Sequence, residues 1–218
     1  MFENFDLMAD ALLKGMWTTV WVTLASYTIA LVIGVVLVVM HVSPALPARW
    51  AANAYTQLFR NVPLLAVLII MFFGLPQIGI KAENWVWALL GLGMYTGAFV
   101  GETMRSGINS IPLGQAEAAR SIGLTFSQSL GTVIMPQAIR AVIPPLGSLL
   151  IALVKNSALV LAIGVAELTA RARRLIEDPE SKFDLWGVII GVTVSYLLIA
   201  LVLSYLVRLA EKRAAFVR

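Results

Sequence analysis

The 218 residues are 60% hydrophobic and 13% charged, carry a formal net charge of +4 and have a mean hydropathy of +0.88. A soluble domain of this size could not bury so much apolar surface in one core, so the composition excludes a soluble globular protein. The absence of cysteine excludes disulfides, thiolate metal sites and a cysteine nucleophile. The length predicts a single transmembrane domain over residues 1–218. The basic excess indicates cytoplasmic loops, not nucleic-acid binding.

Five apolar runs predict an all-α membrane protein with five transmembrane helices, since a helix needs roughly 20 apolar residues to cross a bilayer. The runs cover about residues 16–40, 62–80, 85–101, 145–166 and 185–207. With the N-terminus outside, the inner segments are 41–61, 102–144 and 208–218, and they carry more Lys and Arg than the outer segments. The positive-inside rule therefore favours an external N-terminus and a cytoplasmic C-terminus. The outer segment 167–184 is too polar to span and predicts a short surface helix.

Arg60 and Asn61 stand just before Pro63, at the start of the second run. If one helix runs on from Pro47, then Pro63 breaks it, Arg60 lies well inside the protein, and the freed backbone groups can bind a ligand. If the helix begins only at Asn61, Arg60 is a surface anchor. The sequence leaves both alternatives open.

The third run contains three glycines at successive i,i+4 positions, Gly93, Gly97 and Gly101. Residues at this spacing share one helix face, and glycine lets a neighbouring backbone approach closely. The pattern predicts that this helix packs inside a bundle.

The longest inner loop, about residues 105–144, predicts a pair of short helices. Pro112 suits the start of the first helix, and Gly123 suits its end because glycine accepts the left-handed conformation there. Three apolar residues surround the tight turn at Gly123, namely Ile122, Leu124 and Phe126. Either a partner protein covers these side chains, or they fold back onto their own helices.

The second helix of the loop begins with Thr125 and Gln128, which have the spacing of a capping box. Pro136 is expected to kink or interrupt this helix, because proline cannot donate the helical hydrogen bond. The pair Pro144 and Pro145 is expected to end it before the fourth run.

Lys155 lies near the middle of the fourth run, where a charge costs roughly 2.5–3.5 kcal/mol on insertion scales. It must therefore face the bundle interior, a partner or a water-filled path. In one interpretation its ammonium meets the carboxylate of a transported molecule. In the other it forms an ion pair with Glu102 that locks the bundle. Glu102 and Arg105, three residues apart, also form a candidate pair.

The inner loop resembles the EAA loop of ABC importer permeases, in which EAA, three residues, Gly and nine residues precede I-x-L-P. The matching positions are Glu117-Ala118-Ala119, Gly123 and Val133-Ile134-Met135-Pro136, with Val133 in place of Ile and Met135 in place of Leu. The resemblance implies that the loop docks on a separate ATPase subunit. The residues it assigns to that coupling are Glu117, Ala118, Ala119, Ile122, Gly123, Leu124 and Phe126.

Further stretches resemble the polar amino acid branch of these permeases, which includes the histidine, glutamate, glutamine, arginine and opine systems. Residues 60–63 resemble its R-[GN]-[TV]-P signature, and residues 98–119 resemble its A-x-x-x-E-x-x-R-x-G-I-x-S-[IV]-P-x-G-Q-x-E-A-A stretch. Lys155-Asn156-Ser157 resembles K-[DN]-[TS]-S, from which Ala158 departs. The resemblance implies the five-helix fold of a type I ABC importer permease. It places Arg60, Asn61, Lys155, Asn156 and Ser157 on the substrate pathway.

The resemblance also implies the activity and the partners. The chain would be the membrane subunit of an ATP-driven amino acid importer, working by alternating access on a polar amino acid such as glutamate or glutamine. It would bind no cofactor itself, because the sequence has no GxxxxGK[ST] phosphate loop, and an ABC ATPase dimer would bind ATP and Mg²⁺. The other expected partners are a second permease subunit, identical or paralogous, and an extracytoplasmic amino-acid-binding protein in a bacterial cytoplasmic membrane. The alternatives are a self-sufficient secondary amino acid transporter or channel, and a membrane scaffold.

Overall fold

The computed structural model describes residues 2–177 and 183–214, and all regular structure within these ranges is helical. The α-helices are α1 (Phe2–Val42), α2 (Leu46–Asn61), α3 (Leu64–Ile69), α4 (Asn84–Asn109), α5 (Leu113–Ser121), α6 (Phe126–Gln128), α7 (Met135–Asn156), α8 (Leu168–Glu177) and α9 (Leu185–Ala214). Helix α3 continues as a π turn, Ile70–Gly74, and a 3-10 turn, Leu75–Ile78. A π segment, Ser129–Ile134, joins α6 to α7, and a 3-10 segment, Ser157–Ile163, extends α7.

Within the described ranges, three helical segments are long and apolar enough to cross a membrane, namely Asp6–Val42, Phe126–Ile163 and Leu185–Arg213. A fourth candidate is the bent pair Leu46–Asn61 and Leu64–Ile78, whose two parts meet at 105°. Helix α4, which contains the predicted third run, is less apolar than this standard. It packs against α1, α2, α3 and α7, so protein and not lipid covers most of its surface.

The three glycines of α4 form its contact with α1, as the sequence predicts. A Cβ atom would lie 2.7 Å from a side-chain carbon of α1 at Gly93 and at Gly97, and 2.9 Å at Gly101. The α1 residues they meet, one turn apart, are Ile29, Ile33 and Leu37. Because real Cβ atoms do not approach so closely, only glycine permits this helix separation.

The helix that runs on from Pro47 is broken at Pro63, as the first of the two alternatives predicts, but Arg60 is exposed and does not lie well inside the protein. Helix α2 ends at Asn61, Val62 has extended backbone angles, and α3 starts at Leu64. The ring of Pro63 disfavours helical angles at Val62, which explains the break. The predicted span 62–80 is therefore the short segment Leu64–Ile78, which falls below the roughly 20 residues of a straight span.

The expectation that Pro144 and Pro145 end the loop helix is wrong, because both lie inside α7. Each proline leaves one helical carbonyl without its donor, which normally costs about 3 kcal/mol or more. Here both prolines and Ala141 are on the exposed side of α7, so the rings do not have to fit into the buried contact with another helix. The opposite side, at Val142 and Gly147, is buried, and α7 packs against α4 and α9. This packing maintains the helix through the proline pair.

Candidate functional site

One exposed face of α7 is polar or small, unlike the surfaces that meet lipid. We call it the α7 polar face, and its members follow helical spacing at Ala141, Pro145, Ser148, Ala152 and Lys155. Ala152 is half-buried and the others are exposed. The long helix α9 instead exposes Ile190, Val194, Leu197 and Leu201. The contrast indicates that α7 turns this face toward water or protein, while α9 faces lipid.

Lys155 is exposed at the end of this face, and no acidic side chain pairs with it in the described part of the chain. The alternative in which Lys155 locks the bundle through Glu102 is therefore not seen, since Glu102 pairs with arginines. Asn156 is half-buried. Ser157 is buried, and its hydroxyl donates to the Val154 carbonyl at 2.7 Å, so it shapes the end of α7.

Two arginine side chains contact the carboxylate of Glu102 on α4, one closely and the other at longer distance. Arg105 donates twice, from Nε at 3.1 Å and from Nη2 at 2.6 Å, a bidentate geometry that is among the strongest side-chain hydrogen bonds. Arg60 Nη1 lies 3.9 Å from Glu102 Oε1, and its guanidinium carbon is 6.0 Å from the centre of the Phe99 ring. Asn61 is exposed and donates back to the Gln57 carbonyl at 2.7 Å.

A cavity of about 340 Å³ lies between α4 and α7 where the α7 polar face reaches Glu102. Its lining consists of Glu102, Thr103, Ser106, Gly107, Ser110, Ala141, Val142 and Pro145. The volume falls within the roughly 300–1,000 Å³ of small-molecule sites. Three hydroxyl-bearing side chains and the arginine-paired carboxylate of Glu102 make it suitable for a small polar solute.

The inner loop has the capping chemistry that its sequence predicts. Helix α5 ends at Ser121, and Gly123 just beyond it has a left-handed φ of 87°. The amide of Gly123 donates to the Arg120 carbonyl, and that of Leu124 donates to the Ala119 carbonyl, which is the Schellman arrangement. Thr125 and Gln128 form the complete capping box. The conformation of the turn is therefore fixed by backbone and side-chain hydrogen bonds.

The apolar side chains at this turn are not folded back onto the loop. Ile122 is 79% exposed and Phe126 is 76% exposed, whereas Leu124 is half-buried. Within the EAA residues, Glu117 and Ala118 are exposed, while Ala119 is buried. Leu113, at the start of α5, is also 81% exposed, and the sequence analysis did not single it out. An apolar projection of this kind is a candidate protein-binding surface.

A second polar cluster, centred on Glu167, escaped the sequence analysis. Glu167 is fully buried and accepts hydrogen bonds from the amides of Thr169 and Ala170 at 2.9 and 2.8 Å. It also accepts one from the Tyr196 hydroxyl at 2.7 Å, while Thr19 accepts from the Leu168 amide at 3.2 Å. Burial raises the pKa of Glu167, and the hydrogen bonds from Thr169, Tyr196 and Ala170 act the other way. The available signal was an acid directly before a short helix.

Glu167 fastens α8 to α1 and α9, because its partners lie on all three helices. The described ranges contain no group of His, Asp and Glu side chains that could hold a metal ion. The functional candidates are therefore the α7 polar face with its cavity, and the exposed turn of the inner loop.

Comparison with known proteins gives consistent matches over most of the chain. A family model described as "Binding-protein-dependent transport system inner membrane component" matches residues 30–216. A protein named as a probable glutamine ABC transporter permease from Bacillus subtilis is 36% identical, covering 98% of this chain and 95% of its own. A glutamate transport system permease from Corynebacterium efficiens is 38% identical, covering 95% of this chain and 96% of its own.

Solved structures agree with the sequence matches. The crystal structure of an amino acid ABC transporter with histidines superposes with a TM-score of 0.90 at 31% identity, and covers 98% of both chains. The inward-facing MetNI methionine ABC transporter superposes with a TM-score of 0.76 at 22% identity, covering 96% of this chain and 98% of that one. The second likeness concerns the fold alone.

Proposed function

This chain belongs to the binding-protein-dependent transport system inner membrane component family, and we propose from that premise that it is the membrane-spanning subunit of an ATP-driven amino acid importer. The observation that carries the proposal is the agreement of near full-length relatives on amino acid transport. Members of this family are transport subunits and not enzymes, so hydrolysis of ATP belongs to a separate ATPase dimer that binds ATP and Mg²⁺.

Five spans cross the bacterial cytoplasmic membrane in this proposal. They are α1, the bent segment ending at Ile78, α4, α7 with its 3-10 extension, and α9. The basic residues of the inner segments support an external N-terminus and a cytoplasmic C-terminus. Helix α4 crosses although it is less apolar, because its neighbours cover it.

The exposed turn of the inner loop couples this subunit to the ATPase. Ile122 and Phe126 insert into a groove of the ATPase, and half-buried Leu124 supports them. Gly123 and the capping box hold the turn in shape, so the turn can transmit force. Glu117, Ala118 and Ala119 set the end of α5, with Ala119 packed inside the loop and the other two at the surface.

The α7 polar face lines the substrate pathway at the contact with a second permease subunit, identical or paralogous. Supporting this, a mid-span charge such as Lys155 must meet water or protein. Asn156, Arg60 and Asn61 lie along the same path, and Ser157 shapes its outer end. The substrate is a polar amino acid such as glutamate or glutamine, delivered by an extracytoplasmic binding protein. Alternating access then carries it past the cavity at Glu102.

Reconstitution tests this proposal. The chain is co-expressed with a candidate ATPase and placed in proteoliposomes with a loaded binding protein, and uptake of labelled amino acid is measured. We expect uptake only with ATP and the ATPase. Uptake without the ATPase would instead support a self-sufficient secondary transporter, and would overturn the proposal.

A matched pair of glycine variants tests the coupling turn. Gly123→Ala places a Cβ at a φ of 87°, a conformation that costs L residues roughly 1–2 kcal/mol. Gly131→Ala meets nothing within 4 Å and has no positive φ. We expect Gly123→Ala to weaken co-purification of the ATPase and Gly131→Ala to retain it. Equal retention by both variants would refute the role of the turn.

A further inference from the structure

The helices that surround the proposed pathway are strongly unbalanced in charge. Helices α2, α3, α4 and α7 contain one acidic residue, Glu102. The same four helices contain the basic residues Arg49, Arg60, Arg105, Arg140 and Lys155. Any charged solute that passes along them therefore meets a positive potential.

The single carboxylate is not free to meet a cationic solute. Arg105 already donates two hydrogen bonds to Glu102, and Arg60 lies beside the same carboxylate. A solute with a basic side chain would have to displace a bidentate arginine to reach Glu102. Partial desolvation would then leave one cation without a partner, which is costly.

Two cations remain able to bind a solute. Lys155 is exposed and has no acidic partner among the residues that the structure describes. Arg60 makes its contact with Glu102 at 3.9 Å, at the outer limit of an ion pair, and its side chain is 41% exposed. The α-carboxylate of any amino acid suits each of these cations in turn as the solute moves along the path, and a negative side chain gains further from the basic residues of the four helices.

We infer that this pathway selects amino acids with an acidic side chain and rejects those with a basic side chain. The inference rests on the proposed function, and it names the charge class of the substrate. Asn156 contributes to the selection, since it is uncharged and an aspartate at this position would lower the positive potential around Lys155.

Glutamate and glutamine provide the sharpest comparison, because they have the same shape and differ in charge. The complex with its ATPase is placed in lipid nanodiscs without binding protein, and binding of labelled glutamate is measured with glutamine and arginine as competitors. We expect a Kd for glutamate about tenfold below that for glutamine. Arginine should not compete at a hundredfold excess.

Two variants follow the charge itself. Asn156→Asp is nearly isosteric and should weaken glutamate binding about tenfold, with a smaller effect on glutamine. Arg60→Gln should also reduce the difference between the Kd for glutamate and the Kd for glutamine. Lys14→Gln serves as the control. It removes an exposed lysine of α1 that pairs with Asp10, and the ratio of the two Kd values should not change.

Two outcomes would overturn the inference: arginine or glutamine binding as tightly as glutamate, or a ratio that Asn156→Asp leaves unaltered. These failures differ from failure of the proposed function. ATP-driven uptake of a cationic amino acid would refute the selection of acidic amino acids but would still support the importer function. Absence of ATP-dependent uptake for every amino acid would refute the proposed importer function itself.

Discussion

Replacing Phe126 by alanine should uncouple this subunit from its ATPase without unfolding it. Phe126 is 76% exposed, so its truncation removes little buried surface from the free subunit. In the proposed complex its ring becomes buried, and full burial of such a side chain contributes about 1.5–3 kcal/mol. Scaling by the exposed share gives about 1–2 kcal/mol, which corresponds to roughly a 5- to 30-fold weaker affinity.

The assay compares ATPase affinity with subunit stability. Affinity is measured by titrating labelled ATPase onto the nanodisc-embedded permease, and stability by thermal unfolding of the permease alone. Ile78→Ala is the control, since Ile78 is similarly exposed at 72% but lies at the end of the second predicted span and not on the inner loop. An affinity loss shared by Ile78→Ala, or no loss for Phe126→Ala, would refute the reasoning.

Three further predictions concern stability and are checked by thermal unfolding of the purified permease. Gly97→Ala should destabilise it by about 1–3 kcal/mol, because the new methyl group would overlap Ile33; a Tm equal to that of Gly131→Ala would contradict this packing. Thr125→Ala should cost about 1 kcal/mol through loss of the capping box, and an unaltered Tm would count against the cap. Glu167→Ala should destabilise more than Glu167→Gln, since glutamine can still accept hydrogen bonds at the start of α8; the reverse order would exclude that role.

Local chemistry made the inner loop predictable from sequence. The stop of α5 depends on Gly123 and the start of α6 on its N-cap Thr125, and each lies within one turn of the helix end that it sets, so neighbours along the chain carry the whole signal. The glycine face of α4 was predictable for a related reason, because its i,i+4 spacing reports which side must be close to a neighbour. The break before Pro63 remained one of two alternatives, because the start of α2 was not fixed by a strong cap.

Features set by distant contacts were not predictable. Pro144 and Pro145 are helix breakers by local rules, but packing on the buried side of α7 outweighs their effect. Glu167 acquires its importance from Thr19 and Tyr196, which are far away in sequence. The Glu102 network depends on the bend that brings Arg60 toward α4, and no spacing along the chain indicates that approach.

The unbroken course of α7 through its proline pair has a mechanical consequence. The helical segment from Phe126 to Ile163 has 38 residues, which at 1.5 Å per residue is a shaft of roughly 57 Å. One end is the exposed turn of the inner loop, which we propose to dock on the ATPase, and the far half carries Lys155. If the helix were broken at Pro144, a displacement of the inner loop would bend the chain there and would not reach Lys155. In a continuous helix, a tilt at the inner-loop end moves the Lys155 ammonium group as well. The part of the helix that would move the solute and the turn that the ATPase would push therefore belong to one helical segment.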